Sequence, residues 1–262
     1  MIVLPEAFIL HRYAYSESSM LLKILAPEVS LMPMIAKGIK GLKKTKSFKG
    51  SMASLCEPFN LLRLEYSGSG DVKSLKSCEQ QRSISGFLDR LTGDRVICGL
   101  YINELLLTLL GPSVCSGYLF NHYVLCLTRL SQSQTNSQLL EPALRAFEKV
   151  LLQETGHCPD LIHDQDGNLI LPDGLYELFP GESPIQIIKN KNQNQNKNNL
   201  YDGKVLLALT ACEINQNYIF ESKEIAKQAK YLLRQWIEFY THGKILKTRE
   251  IMRGRNYEVE TT

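Results

Sequence analysis

"AFILHRYAYSESSMLLKILAP" (residues 7–27) holds two short runs rich in aliphatic and aromatic side chains, 7–16 and 19–27, with the polar Glu17-Ser18 between them. Runs of this length and composition, bounded by turn residues, read as β-strands rather than helices. Three further runs of the same kind follow, "SLMPMIAKG" (30–38), "FNLLRLEYSG" (59–68) and "GDVKSLKSC" (70–78). The last two are joined by Gly68-Ser69-Gly70-Asp71, a tight-turn sequence. Five short strands with one long connection after the third is the layout of an oligonucleotide/oligosaccharide-binding (OB) barrel.

The long connection is itself informative. "IAKGIKGLKKTKSFKGSMAS" (35–54) carries six lysines and no acidic side chain. It is too polar for a core and too rich in glycine for a regular helix. The chain as a whole has a formal charge of +3, so this one segment, at +6, leaves the remainder at −3. Concentrated charge raises the local potential enough to attract a polyanion, whereas the same charge dispersed would not. A solvated loop is the plainer reading of any run of charges.

Beyond residue 79 the apolar period changes from two to 3.6. "DRVICGLYINELLLTLLG" (94–111) is apolar on nearly every side and reads as a buried helix. "GYLFNHYVLCLTRLSQ" (117–132) and "LLEPALRAFEKVLLQETG" (139–156) follow. Pro142 is tolerated only in a first turn, so the second of these starts near Glu141. Residues 157–203 look irregular and include "KNKNQNQNKNN" (189–199), a polar low-complexity run read as a disordered insertion. Helices resume at 204–213 and 222–241; in the latter Lys223, Lys227, Lys230 and Arg234 form a narrow stripe. The expected organisation is α+β: a barrel over 1–79, a helical domain over 80–156 plus 204–255, and the irregular insertion 157–203.

With 262 residues, 44% hydrophobic and 22% charged, the composition is that of a globular protein. Pro5 and Glu6 interrupt the apolar start, the apolar runs are short, and the seven cysteines are scattered without a CxxC pair; a reducing cytoplasm is the expected setting. Catalytic signatures are missing: no GxSxG, no GxxxxGK[ST], no HExxH. "GHCPDLIHD" groups His157, Cys158, His163 and Asp164, but a structural zinc site needs a second close pair of ligands and the chain does not supply one. Neither an enzyme, a metal nor a cofactor is expected.

Several motifs, in order, resemble the bacterial recombination-mediator family RecO. They are "FILHRYAYSESSMLLKIL" (8–25), "AKG" (36–38) with the basic residues and Ser47 after it, "EPF" (57–59), "LYINELL" (100–106), "EPALRAFEKVLL" (141–152) with Gly156, and "LKTRE" (246–250). The asparagine-rich insertion departs from the pattern, and the four-cysteine cluster of some members is missing. The resemblance implies an OB barrel, a helical body and a finger-like excursion. It also implies non-catalytic work: binding single-stranded DNA, annealing complementary strands and, with RecR, replacing single-strand-binding protein (SSB) by RecA, RecF being a further possible partner. The DNA-binding residues expected are Lys37, Lys40, Lys43, Lys44, Lys46, Lys49, Lys247 and Arg249. Tyr13, Tyr15, Phe48, Phe59 and Tyr66 are the aromatics available for base stacking. The resemblance further implies that the acidic, phenylalanine-terminated tail of SSB sits in a groove of the helical body, with Arg145 for its carboxylate and Leu144 and Leu151 for its ring. Intrahelical pairing of Arg145 with Glu141 or Glu148 is the competing reading. A protein-interaction scaffold that engages acidic partners is the alternative of a different class.

Overall fold

In the computed structural model, residues 1–39, 52–81, 91–111, 114, 116–133, 135–187 and 199–252 are described. The chain divides into two compact units, Met1–Ser131 with Leu246–Thr262, and Gln132–Ile245.

The first unit is built on five strands, β1 (Ile2–Ala14), β2 (Met20–Ala26), β3 (Val29–Ala36), β4 (Leu61–Ser67) and β5 (Lys73–Gln80). They close into a barrel in the order β1-β2-β3-β5-β4. Every pairing is antiparallel except β3 with β5, where Met34 faces Lys73 and Ile35 faces Ser74. β1 is long because it serves two neighbours: its N-terminal half pairs with β4 and its C-terminal half with β2. Register shifts at Leu4/Ala7 and Ile9/His11 let one strand turn between them. Alternating residues such as Ile9, Leu22, Ile24, Met34, Leu62 and Leu64 fill the interior. A single helical turn, α1 (Met52–Leu55), packs against that interior just before β4.

Two helices, α2 (Asp94–Leu109) and α3 (Gly117–Gln132), continue the chain. α2 buries residues around most of its circumference, leaving the line of Leu100, Glu104 and Leu107 half-buried. Asn103, buried in its middle, donates to the Leu10 carbonyl of β1 (3.0 Å) and accepts from the Tyr123 hydroxyl of α3 (2.7 Å). The Phe8 ring lies 5.0 Å from that of Tyr123 and 5.6 Å from that of Phe120. These contacts join α2 and α3 to the barrel, so the compact unit runs to residue 131, not to the expected boundary at 79. The helix carries Gly99 in its interior for a steric reason: a Cβ there would stand 2.8 Å from the Phe59 ring.

The second unit packs α4 (Leu140–Glu154) against α5 (Gly203–Ile214) and α6 (Lys223–Tyr240). Ser222 caps α6, its hydroxyl accepting from the Ile225 amide at 3.2 Å. Between α4 and α5 the chain forms a three-stranded antiparallel sheet, ordered β7-β6-β8, of β6 (Leu175–Glu177), β7 (Ile185–Gln186) and β8 (Leu200–Asp202). The stretch 157–203, expected to be irregular, holds these short strands. Strands of two or three residues carry no detectable alternation, and pairing between residues well separated in sequence defines them. The asparagine-rich run, apart from Asn199, lies outside the described residues. Among the described residues no helix is long and apolar enough to cross a membrane.

Candidate nucleic-acid interface

Downstream of the bulge at Ile9/His11, β1 stops feeding the core and turns side chains outward. Tyr13 is 44% exposed and Tyr15 61% exposed. The His11 ring meets Tyr13 edge-on, centroids 4.3 Å apart, and His11 stands opposite Lys23 of β2. Arg12, half-buried, pairs with Glu57 at 2.5 Å. Exposed rings beside cations suit a ligand with flat faces and a charged backbone.

Lys37 is exposed just after β3, where the chain enters the lysine-rich connection. Lys40, Lys43, Lys44, Lys46 and Lys49, with Phe48, lie outside the described residues. Of the other aromatics considered for stacking, Phe59 and Tyr66 are core residues, 1% and 6% exposed. Phe59 is turned inward by a left-handed backbone (φ 70°) under α2, and Tyr66 points into the barrel. Neither offers a stacking face.

The segment following Leu246 returns to this same unit. Glu104 of α2 accepts from the amides of Lys247 (2.9 Å) and Thr248 (3.0 Å) and from the Thr248 hydroxyl (2.6 Å), satisfying the otherwise free first turn of the helical stretch 247–252. Arg249 donates to the Tyr101 hydroxyl (2.9 Å) with its guanidinium 5.4 Å from that ring, so it serves first as an anchor. Lys247 is exposed and close enough to His11 to act on it: burial, then Lys247, then Arg12, hold the His11 pKa below its ordinary value. His11 and Arg12 were missed as site residues; their signal is that they precede the exposed Tyr13 within the same quoted motif.

In the second unit, the slot expected from Leu144, Arg145 and Leu151 is closed. Leu151 is fully buried, Leu144 nearly so, and Arg145 is 5% exposed. Arg145 donates to Glu148 at 2.9 Å, one of the two intrahelical pairings that its spacing allowed. Nearly every residue of α4 is buried, because α5 and α6 both pack on it; Lys149 is covered too, paired with Glu213 of α5. The "GHCPDLIHD" group is also accounted for by local contacts. His157 stacks on Tyr240 (3.9 Å), and its Nδ1 lies 2.8 Å from the Thr155 hydroxyl. Burial pushes the Cys158 thiol up to about 12. His163 pairs with Asp160 at 2.6 Å. Among the described residues no three His, Cys, Asp or Glu side chains are grouped to hold a metal ion.

Comparison with known proteins divides the chain nearer the end of the barrel. The family described as "Recombination protein O N terminal" matches residues 1–84, and "Recombination protein O C terminal" matches residues 90–250. Proteins named DNA repair protein RecO are similar along nearly the full length. That of Vibrio cholerae serotype O1 is 36% identical over 251 residues, 95% of this chain and 93% of the relative. That of Coxiella burnetii is 33% identical over 252 residues, 96% and 98%. That of Dechloromonas aromatica is 31% identical over 247 residues, 94% and 93%.

Proposed function

The chain belongs to the RecO family of DNA-repair and recombination proteins, and from that premise we propose that it is a recombination mediator acting on single-stranded DNA. It binds single strands, anneals complementary ones and, with RecR, assists the replacement of SSB by RecA. The observation that carries this reading is the outward face of β1. Tyr13 and Tyr15 are exposed on a closed OB-type barrel, with His11 and Arg12 between core and water, and Lys37 opens the lysine-rich connection.

The chemistry is sequence-independent. Each lysine that neutralises a phosphate releases counterions, so affinity falls with salt in proportion to the number of contacts. Lys37, Lys40, Lys43, Lys44, Lys46, Lys49 and Lys247 supply that term, while the exposed tyrosines stack on bases, which all present a π-face. Arg249 contributes by holding Lys247 in place. No step requires a bond to be made or broken by the protein. Annealing follows when two neutralised strands are brought together and the pairing energy of the duplex takes over.

The tail of SSB is proposed as a partner without assignment to Leu144, Arg145 and Leu151, whose burial argues against a docking role. The test is annealing of SSB-coated complementary oligonucleotides by the purified chain, with and without RecR. Acceleration over SSB-coated strands alone is expected. Absence of acceleration together with salt-insensitive binding to bare strands would return the lysines to a solvated loop and favour a scaffold for acidic proteins.

A further inference from the structure

α6 carries a feature that the barrel's role leaves unused. Lys223, Lys227 and Lys230 are exposed along it, and Arg234, half-buried, continues the same line. At 1.5 Å per residue the four cations extend over about 16 Å on one side of the helix. Among the described residues, Lys230 alone of this line has an acidic side chain within ion-pair distance, Glu141 at 3.1 Å. The acids sharing the outer side of α6 are Glu224, hydrogen-bonded by Gln228, and Glu238.

Where the stripe ends, a pocket of about 480 Å³ begins, and Arg234 belongs to both. Tyr231 is 49% exposed and Phe239 60% exposed at its mouth, while Trp236 is buried behind them. The polar lining offers both hydrogen-bonding senses. Arg234 donates and Glu238 accepts. The Gln235 carbonyl is engaged by the Tyr201 hydroxyl at 2.6 Å, which leaves its amide N–H groups to donate. A carboxylate-rich peptide would meet Glu238 at the pocket. A neutral planar heterocycle with donors and acceptors on its edge would not, and its phosphates would run toward the lysines.

We infer that α6 is a second single-strand DNA site, taking a nucleobase against the exposed rings of Tyr231 and Phe239 and the attached phosphates on Lys223, Lys227 and Arg234. The inference rests on the proposed function, which supplies the ligand class. It deepens that reading by giving one chain two strand-binding surfaces, one in each unit.

Trp236, the only tryptophan in the chain, lies buried behind this pocket, so its emission reports on a ligand seated there. The full-length protein is titrated with unlabelled oligo(dT) while Trp236 emission is followed, and in parallel with a fluorescein-labelled oligo(dT) while anisotropy reads total binding. Saturable quenching of Trp236 is expected in the wild type. It should persist in K40A/K43A/K44A/K46A, and in K223A/K227A/R234A it should weaken by at least about tenfold. The salt slope of total binding should drop by about two in the α6 variant, at roughly 0.7 per lost phosphate contact on a single strand. If the triple variant does not fold, K223Q/K227Q, which alters two exposed side chains, is expected to lower the slope by about one. Anisotropy showing tight binding with Trp236 emission unmoved overturns this inference and leaves the proposed function standing. No binding by anisotropy defeats both. Quenching by an acidic peptide ending in phenylalanine, but not by oligo(dT), assigns the pocket to a protein tail and overturns it as well.

Discussion

Cations do opposite work in two regions of this molecule. Around the end of β1, Lys37 and Lys247 stand in water. On α4, Arg145 and Lys149 are covered and each is held by a glutamate, Glu148 and Glu213. An exposed cation keeps its hydration until a phosphate displaces the counterions, and its value lies in binding. A buried one has lost its hydration already, and its value lies in not leaving its partner uncompensated. The comparison teaches that charge alone does not mark a site; the solvent around it does. Four substitutions test the contrast, in descending order of expected effect.

The sharpest break is Arg145→Ala. Removing Arg145 takes a charged partner from the buried Glu148, and a loss of about 3–5 kcal/mol in unfolding free energy is expected, read by urea denaturation. The double variant R145M/E148L should recover part of it, since both charges of this buried pair are then removed together. A selective loss of binding to the SSB tail with unchanged stability would show that α4 opens and that Arg145 belongs with the exposed cations after all.

At the other pole, Lys40, Lys43, Lys44 and Lys46 together to Ala should leave stability within about 0.5 kcal/mol, as surface changes do. The slope of log affinity against log salt should fall by about three, at roughly 0.7 per contact on single strands. Equal weakening on oligonucleotides of different sequence is expected, because phosphates carry no sequence. An unchanged slope would erase the distinction on the barrel side.

A middle case is Glu104→Gln. The carboxylate accepts from two amides and a hydroxyl of the 247–252 stretch. Hydrogen bonds to a charged group are worth about 1.5–3 kcal/mol each at most, and an amide retains part of the interaction. Hydrogen exchange at the Lys247 and Thr248 amides should accelerate by at least about tenfold while the barrel amides stay protected. Even acceleration throughout would mean that this segment and the barrel open as one.

The smallest effect concerns His11. Its folded pKa lies below the ordinary value, about 6.5. Below that pH the unfolded chain therefore binds more protons than the folded one. Stability should be full above about pH 6.5 and decline as the pH falls through it, and His11→Gln should flatten that decline. Phosphates near His11 favour the imidazolium, so adding oligo(dT) should raise its pKa, read from the imidazole proton shifts by NMR. No movement on saturation would put the DNA path elsewhere on the barrel.

Much of the secondary structure in both units is legible in the sequence. The five strands, the turn at Gly68-Ser69-Gly70-Asp71 and the long cationic connection all rest on local signals, and the helices α2, α3, α5 and α6 agree with their expected limits to within two residues. The candidate site was half legible. Tyr13 and Tyr15 were named among five aromatics, but their sequence neighbourhood does not distinguish them from Phe59 and Tyr66, which are in the core. A period-2 pattern says that residues alternate, and it leaves open which face is wet.

What the sequence determined by itself is what short-range physics controls. Turn residues end strands, the apolar period separates strand from helix, and lysines unaccompanied by acids concentrate a field wherever the chain puts them. Tertiary structure alone decided the closure of β1 on β4, the inclusion of α2 and α3 with the barrel through Asn103 and Phe8, and the sheet β7-β6-β8. It also decided the fate of Arg145. The spacing from Arg145 to Glu148 is the same on a wet helix and on a dry one, and only the packing of α5 and α6 over α4 removes the water that tells them apart.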